Sequence, residues 1–377
     1  MSGCNPKIVV AGLICIDITP QWRSDTKFDM QACLQPGKLI RTKGVTISAG
    51  GAVANTGLAL ARLGADVHLM YMVGEDSFGE LVRREIAAYD VPCSCVTTKE
   101  EATGYSVVVA VPGYDRILLH DVGANDTMTS DVFDYGVIED ASIFHFGYPQ
   151  SMRRFYLADA AELVKMYRRV HDMGVATSLD MALADSSSES GRVDWRTVIQ
   201  NVLPFVDLFE PSLEELYSSM DREGYEQLNE EARKAGKEIP ELLSREEICA
   251  MADQLIEWGG KIVLIKCGKT GMYLRTAPQE RLNQIGRLAD RLQGWGDQKI
   301  WMPCFRVDEV RSGTGAGDTS IAGFLCALQR GFPVERCVEL AAAVGAVCVT
   351  SYDALSAITH LDTINEKIEQ GWEKNEE

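Results

Sequence analysis

Apolar runs of strand length alternate with helix-periodic segments along most of this 377-residue chain, and that alternation limits the fold more than any other feature. KIVVAGLICI (7–16) is followed by AVANTGLALARLG (52–64), DVHLMYMV (66–73) and SFGELVRREIAAYD (77–90). The pattern resumes with ASIFHF (141–146), a helix over about 151–173, GVATSLD (174–180), FVDLFE (205–210), a helix from about Ser212, another over 244–258, and KIVLIKCG (261–268). Two helices, about 316–330 and 334–349, close the series. Strands that return through helical crossovers run parallel, and such sheets are covered on both faces. The expectation is an α/β fold with a central, mostly parallel sheet in a single domain spanning 1–377.

Two regions break the rhythm. CLQPGKLIRTKGVTIS (33–48) and TGYSVVVAVPGYDRILLH (103–120) read as short strands joined by Gly-containing turns, with no helix between them. They predict a small β layer apart from the main sheet, a lid formed from about 18–48 and 103–120. Polar stretches at about 220–243 and 276–299 interrupt the element series and read as insertions without an assignable role. A formal net charge of -18 argues against nucleic-acid or anionic-membrane partners. The apolar runs 8–16 and 340–349 are too short to cross a bilayer, and MSGCNPK lacks a signal-peptide core, so a cytoplasmic location is expected. The eleven cysteines show no CxxC pair, and Cys15, Cys267, Cys326 and Cys348 lie in apolar segments where a reduced thiol packs as a small core residue.

The stretch with the most chemical content is GTGAGD (313–318), followed by TSIAGFLCALQRG, in which Ile321, Phe324, Leu325 and Leu328 recur at helical spacing. The glycines therefore precede a helix N-terminus, where free N–H groups and the macrodipole attract an anion. Asp318 would repel a resting phosphate. The two features reconcile if the loop stabilises charge that develops during phosphoryl transfer while Asp318 deprotonates the attacking alcohol. A plainer role for Asp318, completing the first turn of a helix, leaves the three preceding glycines unexplained. A dinucleotide fingerprint from Gly313 would need Gly at 318, and a Walker A loop ending at Gly268-Lys269-Thr270 would need Gly where Val263 stands.

ISAGGAVANTGLALARLG (47–64) with VGEDSFG (73–79), and SGTGAGDTSIAGF (312–324), together resemble the N- and C-terminal signatures of the ribokinase-like carbohydrate kinases, the PfkB family. GAND (123–126) and KCGKTG (266–271) add to the resemblance, which spans nearly the whole chain apart from the polar insertions. It implies a ribokinase-like three-layer sandwich with a small β lid, and an ATP- and Mg2+-dependent kinase acting on a hydroxyl of a small sugar, sugar derivative or nucleoside. Under it, Asp318 is the general base and Gly315, Ala316 and Gly317 form the anion hole. Asp17, closing the first strand, and Gly50, Gly51 and Asn55 hold the substrate, while Lys266, Gly268 and Gly271 contact the nucleotide. Glu215 belongs to the Mg2+ shell, although Ser212 stands where the family's Asn-x-x-Glu motif has Asn, so a capping box begun by Ser212 is the alternative. Ser312 replaces an Asp common in the family, which leaves monovalent-cation activation open. A nucleoside kinase and a non-catalytic sugar- or nucleotide-sensing relative are the rival readings. Apolar lid strands such as SVVVAV allow two chains to pair.

Overall fold

A computed structural model describes residues 7–22, 36–109 and 117–375. The central sheet contains nine strands in the order β13-β12-β11-β10-β9-β8-β1-β4-β5. These are β1 (Lys7–Gly12), β4 (Val67–Gly74), β5 (Cys93–Thr98), β8 (Ala141–Gly147), β9 (Ala176–Asp180), β10 (Leu208–Phe209), β11 (Ile262–Lys266), β12 (Met272–Thr276) and β13 (Lys299–Met302). All neighbours pair parallel except β11–β12 and β12–β13 at one edge. The inner strands are buried throughout, as expected of a sheet covered on both faces.

The second sheet has four strands in the order β3-β2-β6-β7: β2 (Cys15–Gln21), β3 (Gly44–Gly50), β6 (Thr103–Val109) and β7 (Ile117–Gly123). This is the expected lid, with one change of register. The run at 7–16 is not one strand that ends near Asp17. It breaks after Gly12, whose φ of +129° and contact with β8 exclude a side chain: a Cβ there would lie 2.4 Å from the Gly147 carbonyl oxygen. Asn125 then takes both polar groups of Ile14, accepting from its N–H at 3.0 Å and donating to its carbonyl at 2.9 Å. The chain thus leaves the central sheet at Leu13–Ile14 and enters the lid at Cys15, which places Asp17 inside a lid strand. The partner of β3 is β2, not the segment preceding β3; residues 23–35 of the expected lid, which include the start of the expected hairpin, and the turn at 110–116 lie outside the described residues.

The stretch at 276–299 is also more than a polar interruption. Leu282, Ile285, Leu288, Leu292 and Trp295 are buried, so this segment supplies core packing through short helical turns. Residues 220–243 contain the helix Arg222–Ala235, which buries only Ala232. Cys15, Cys267, Cys326 and Cys348 are buried free thiols. Among the described residues, no helix is long and apolar enough to cross a membrane.

Candidate active site

Residues at the carboxyl ends of β8, β9 and β11 (Tyr148, Asp180 and Lys266) gather at the start of the helix Ala316–Gln329, the place in an open α/β sheet where ligands bind. Gly315 is the N-cap, at φ 74°, and a Cβ on it would lie 2.3 Å from the Ala354 side chain. Glycine is therefore required twice, by backbone conformation and by space. Ala316 and Gly317 begin the helix, and their partial exposure leaves the helix start reachable from solvent. Helix geometry leaves the first N–H groups without intrahelical acceptors, and of these the Ala316 N–H donates at 3.3 Å to the Gly313 carbonyl of the preceding loop.

Asp318 follows in the first turn and is only 4% exposed. Its Oδ1 accepts from the Tyr148 hydroxyl at 2.7 Å and from Thr56 Oγ1 at 3.4 Å, and its Oδ2 accepts from Asn55 Nδ2 at 3.2 Å. Burial raises the Asp318 carboxyl and nearby Asp180 adds to the rise. The Tyr148 hydrogen bond, Lys266 and Asn55 oppose it, and the net value is about 6. A carboxylate tuned into this range can collect a proton near neutral pH and release it again.

Lys266, the last residue of β11, is buried and donates to Asp180 Oδ1 at 2.7 Å. Burial alone would lower its pKa, but Asp180 and then Glu215 outweigh that and hold it charged. Its ammonium lies 3.5 Å from where a Cβ on Gly317 would stand, which puts a fixed positive charge directly behind the glycine loop.

Three comparisons bear on this arrangement. The family model described as "pfkB family carbohydrate kinase" matches residues 5–360. An uncharacterized sugar kinase of Archaeoglobus fulgidus is 22% identical over 297 residues, covering 79% of this chain and 96% of its own. Among solved structures, Arabidopsis thaliana ribokinase complexed with ribose and ATP superposes with a TM-score of 0.69 at 22% identity, covering 96% of this chain and 98% of that one. The nucleoside kinase of Methanocaldococcus jannaschii superposes at 0.65 with 18% identity, covering 97% and 98%. The chain belongs to the PfkB family of carbohydrate kinases.

In this PfkB kinase, Asn55 and the 315–318 loop come together directly. Asp17 and the two glycines join them through the start of the helix Gly51–Leu63. A Cβ on Gly50 would lie 2.2 Å from Asp17 Oδ2, so the carboxylate rests against bare backbone. Gly51, at φ +84°, packs on Leu13, and one helical turn later Asn55 reaches Asp318. Across the lid, register sets Ser48, Asp17, Ser106 and His120 in one transverse row. Cys15 Sγ donates to Asp17 at 3.5 Å, and Ser106 Oγ meets His120 Nδ1 at 2.9 Å. Gly268 and Gly271 bound the turn between β11 and β12, both at positive φ.

Glu215 makes the capping box that Ser212 allows: its Oε2 accepts from the Ser212 N–H at 2.7 Å, and Ser212 Oγ accepts from the Glu215 N–H at 3.2 Å. Burial raises Glu215 to about 7, with Lys266 opposing and Asp180 reinforcing the rise. Ser312 is engaged locally, its hydroxyl accepting from the Thr314 N–H at 3.1 Å.

Sequence reasoning missed Thr56, Tyr148 and Asp180. Thr56 stands beside Asn55 in the motif already singled out. Asp180 closes a strand, which is the position used to select Asp17. Tyr148 follows the glycine that ends β8, and nothing local distinguishes it from a core aromatic.

Proposed function

We propose that this kinase transfers the terminal phosphoryl group of ATP to a hydroxyl of a small sugar or sugar derivative, with Asp318 as general base. The observation that carries the reading is the buried carboxyl at the glycine-rich start of Ala316–Gln329, held by three donors at a pKa of about 6. The acceptor alcohol gives its proton to Asp318 as its oxygen attacks phosphorus and ADP leaves. N–H groups of the Gly315–Gly317 loop face the charge on the transferring group, and Lys266 adds field from behind without leaving its pair with Asp180. Asp17, Gly50, Gly51 and Asn55 hold the sugar beneath the lid, whose closure keeps water from the phosphoryl group.

The approach to this helix start is open, since a Cβ on Gly313 would meet nothing within 4 Å, and we assign it to the ATP phosphates. Gly268 and Gly271 are the strand-end positions assigned to the nucleotide. Mg2+, when bound with the nucleotide, would supply charge neutralisation of the phosphates. Glu215, half-buried at the start of its helix and beside Lys266, is the carboxylate we assign to the cation, acting through water.

ATP consumption measured against a panel of pentoses, hexoses, sugar acids and nucleosides tests the assignment. Turnover with a sugar supports it, turnover confined to nucleosides moves the acceptor class, and binding without turnover replaces the kinase by a sensor.

The outer lid face carries Val45, Ile47, Ile117 and Leu119, each at least 40% exposed, and we assign it to a second copy of this chain. Sedimentation should give a dimer that Ile47→Asp converts to monomer. A monomeric unsubstituted protein at micromolar concentration would refute the assignment.

A further inference from the structure

We propose that Tyr148 is a positioning residue for the general base: its short hydrogen bond fixes one oxygen of Asp318, and so turns Oδ2 toward the acceptor as the atom that takes its proton. The inference rests on the kinase reading above and goes beyond it by choosing between the two carboxylate oxygens.

A carboxylate oxygen offers about two lone-pair directions. Oδ1 already receives Tyr148 and Thr56, whereas Oδ2 receives Asn55 alone. Thr56 stands at 3.4 Å and is the weaker of the two donors on Oδ1, so the short Tyr148 bond is what fixes that oxygen, and Oδ2 keeps an acceptor direction beside Asn55. The Tyr148 bond is the shortest of the three, at 2.7 Å, and comes from a residue 170 positions away in sequence.

The backbone at Tyr148 argues that the side chain is there for a purpose. Its φ of 69° and ψ of 46° are left-handed, a conformation that costs a non-glycine residue about 1–3 kcal/mol and persists only where the surroundings enforce it. Pro149 follows, and the residue before a proline ordinarily avoids the helical region. The conformation is held on both sides: the Tyr148 N–H donates to the Asp180 carbonyl at 3.3 Å, and its carbonyl accepts from the Ser151 N–H at 3.0 Å. Glycine would meet the backbone requirement without strain, but only a long side chain bearing a donor reaches Asp318.

The groups facing Asp318 are few. Asp180 and Lys266 approach from β9 and β11, the Cys348 thiol from the helix Val334–Cys348, and neutral Asn55 and Thr56 from Gly51–Leu63. Glu215 acts on Lys266 and Tyr148. Of these, Tyr148 is the donor whose loss leaves charge and shape otherwise unchanged, because phenylalanine keeps the ring.

Tyr148→Phe should lower kcat about tenfold, leave the KM for ATP unchanged, and move the acid limb of kcat/KM upward by about one pH unit, the weight of one hydrogen bond to a charged group. The direction follows from the bond favouring the ionised carboxyl, so that without it Asp318 stays protonated to higher pH. In an Asp318→Asn background the same substitution should have no further effect. Thr56→Val, at the same oxygen but a longer distance, should shift the limb in the same direction by less, and it tests the idea if Tyr148→Phe does not fold. A substrate-free measure separates this inference from the kinase reading: the stability difference between the protein and its Asp318→Asn form, followed from pH 4 to 8, reports Asp318 ionisation directly. Its midpoint should rise in Tyr148→Phe. A superimposable pH profile, or a loss of kcat with no displacement of either midpoint, assigns Tyr148 a packing role and overturns the proposal.

Discussion

Asp318→Asn should abolish nearly all turnover, by about 10²–10⁴-fold, and at the same time make the protein more stable at pH 8. Both effects follow from one buried carboxyl. The folded state raises it from the ordinary carboxylate value to about 6, so ionisation at neutral pH opposes folding by about 3 kcal/mol. Between about pH 4 and pH 6 the folded protein binds the proton more tightly than the unfolded chain does, so the contribution of Asp318 is most favourable in acid and is lost as pH rises through its folded value. Asparagine removes that loss while keeping an acceptor for Tyr148. Denaturant unfolding at pH 8 and pH 5, alongside phosphoryl-transfer assays, should show a gain at the higher pH that shrinks at the lower. Equal stability at both pH values, or turnover within tenfold of the unsubstituted protein, would remove Asp318 from the role of base.

Lys266→Ala should be the most destabilising single change near the site, by about 3–5 kcal/mol, because it leaves Asp180 charged and alone in the interior. Glu215 and Asp318 lose the same countercharge, and Asp318 should become harder to ionise. The destabilisation should be greatest at alkaline pH and relax in acid, where an unpaired Asp180 can take up a proton. Lys266→Met with Asp180→Leu removes both charges and should recover most of the stability without recovering activity. That pattern separates the pair's structural contribution from the field it places behind the glycine loop. A loss below about 1 kcal/mol at pH 8 is what an exposed, weakly coupled pair would give, and it would contradict the buried geometry.

Much of this kinase was legible in its sequence. Runs such as ASIFHF and KIVLIKCG carry their strand character locally, and the period change between them and the helical segments specifies a parallel sheet. The GTGAGD loop was legible for the same reason: three glycines and an acid ahead of a periodic run mark a helix start within six residues, and a helix begins at Ala316. The lid was legible as extra strands, but its start was not. KIVVAGLICI reads as one strand until the approach of Gly147 to Gly12 and the hold of Asn125 on Ile14 divide it between two sheets. Asp17 changes its role accordingly, from the end of a central strand to a group on the lid.

The sequence by itself determined the α/β class, the family and the glycine-rich loop that carries Asp318, because periodicity, turn chemistry and helix starts act over a few neighbouring residues. Only the tertiary structure decided that Tyr148 reaches Asp318 and that Lys266 is held by Asp180 behind the loop, whereas the Ser212–Glu215 capping box is a local pattern already open to the sequence. Those two tertiary contacts join residues 170 and 86 positions apart. Their energies depend on burial and on the charges that folding gathers around one another, and no local pattern in the chain encodes that gathering.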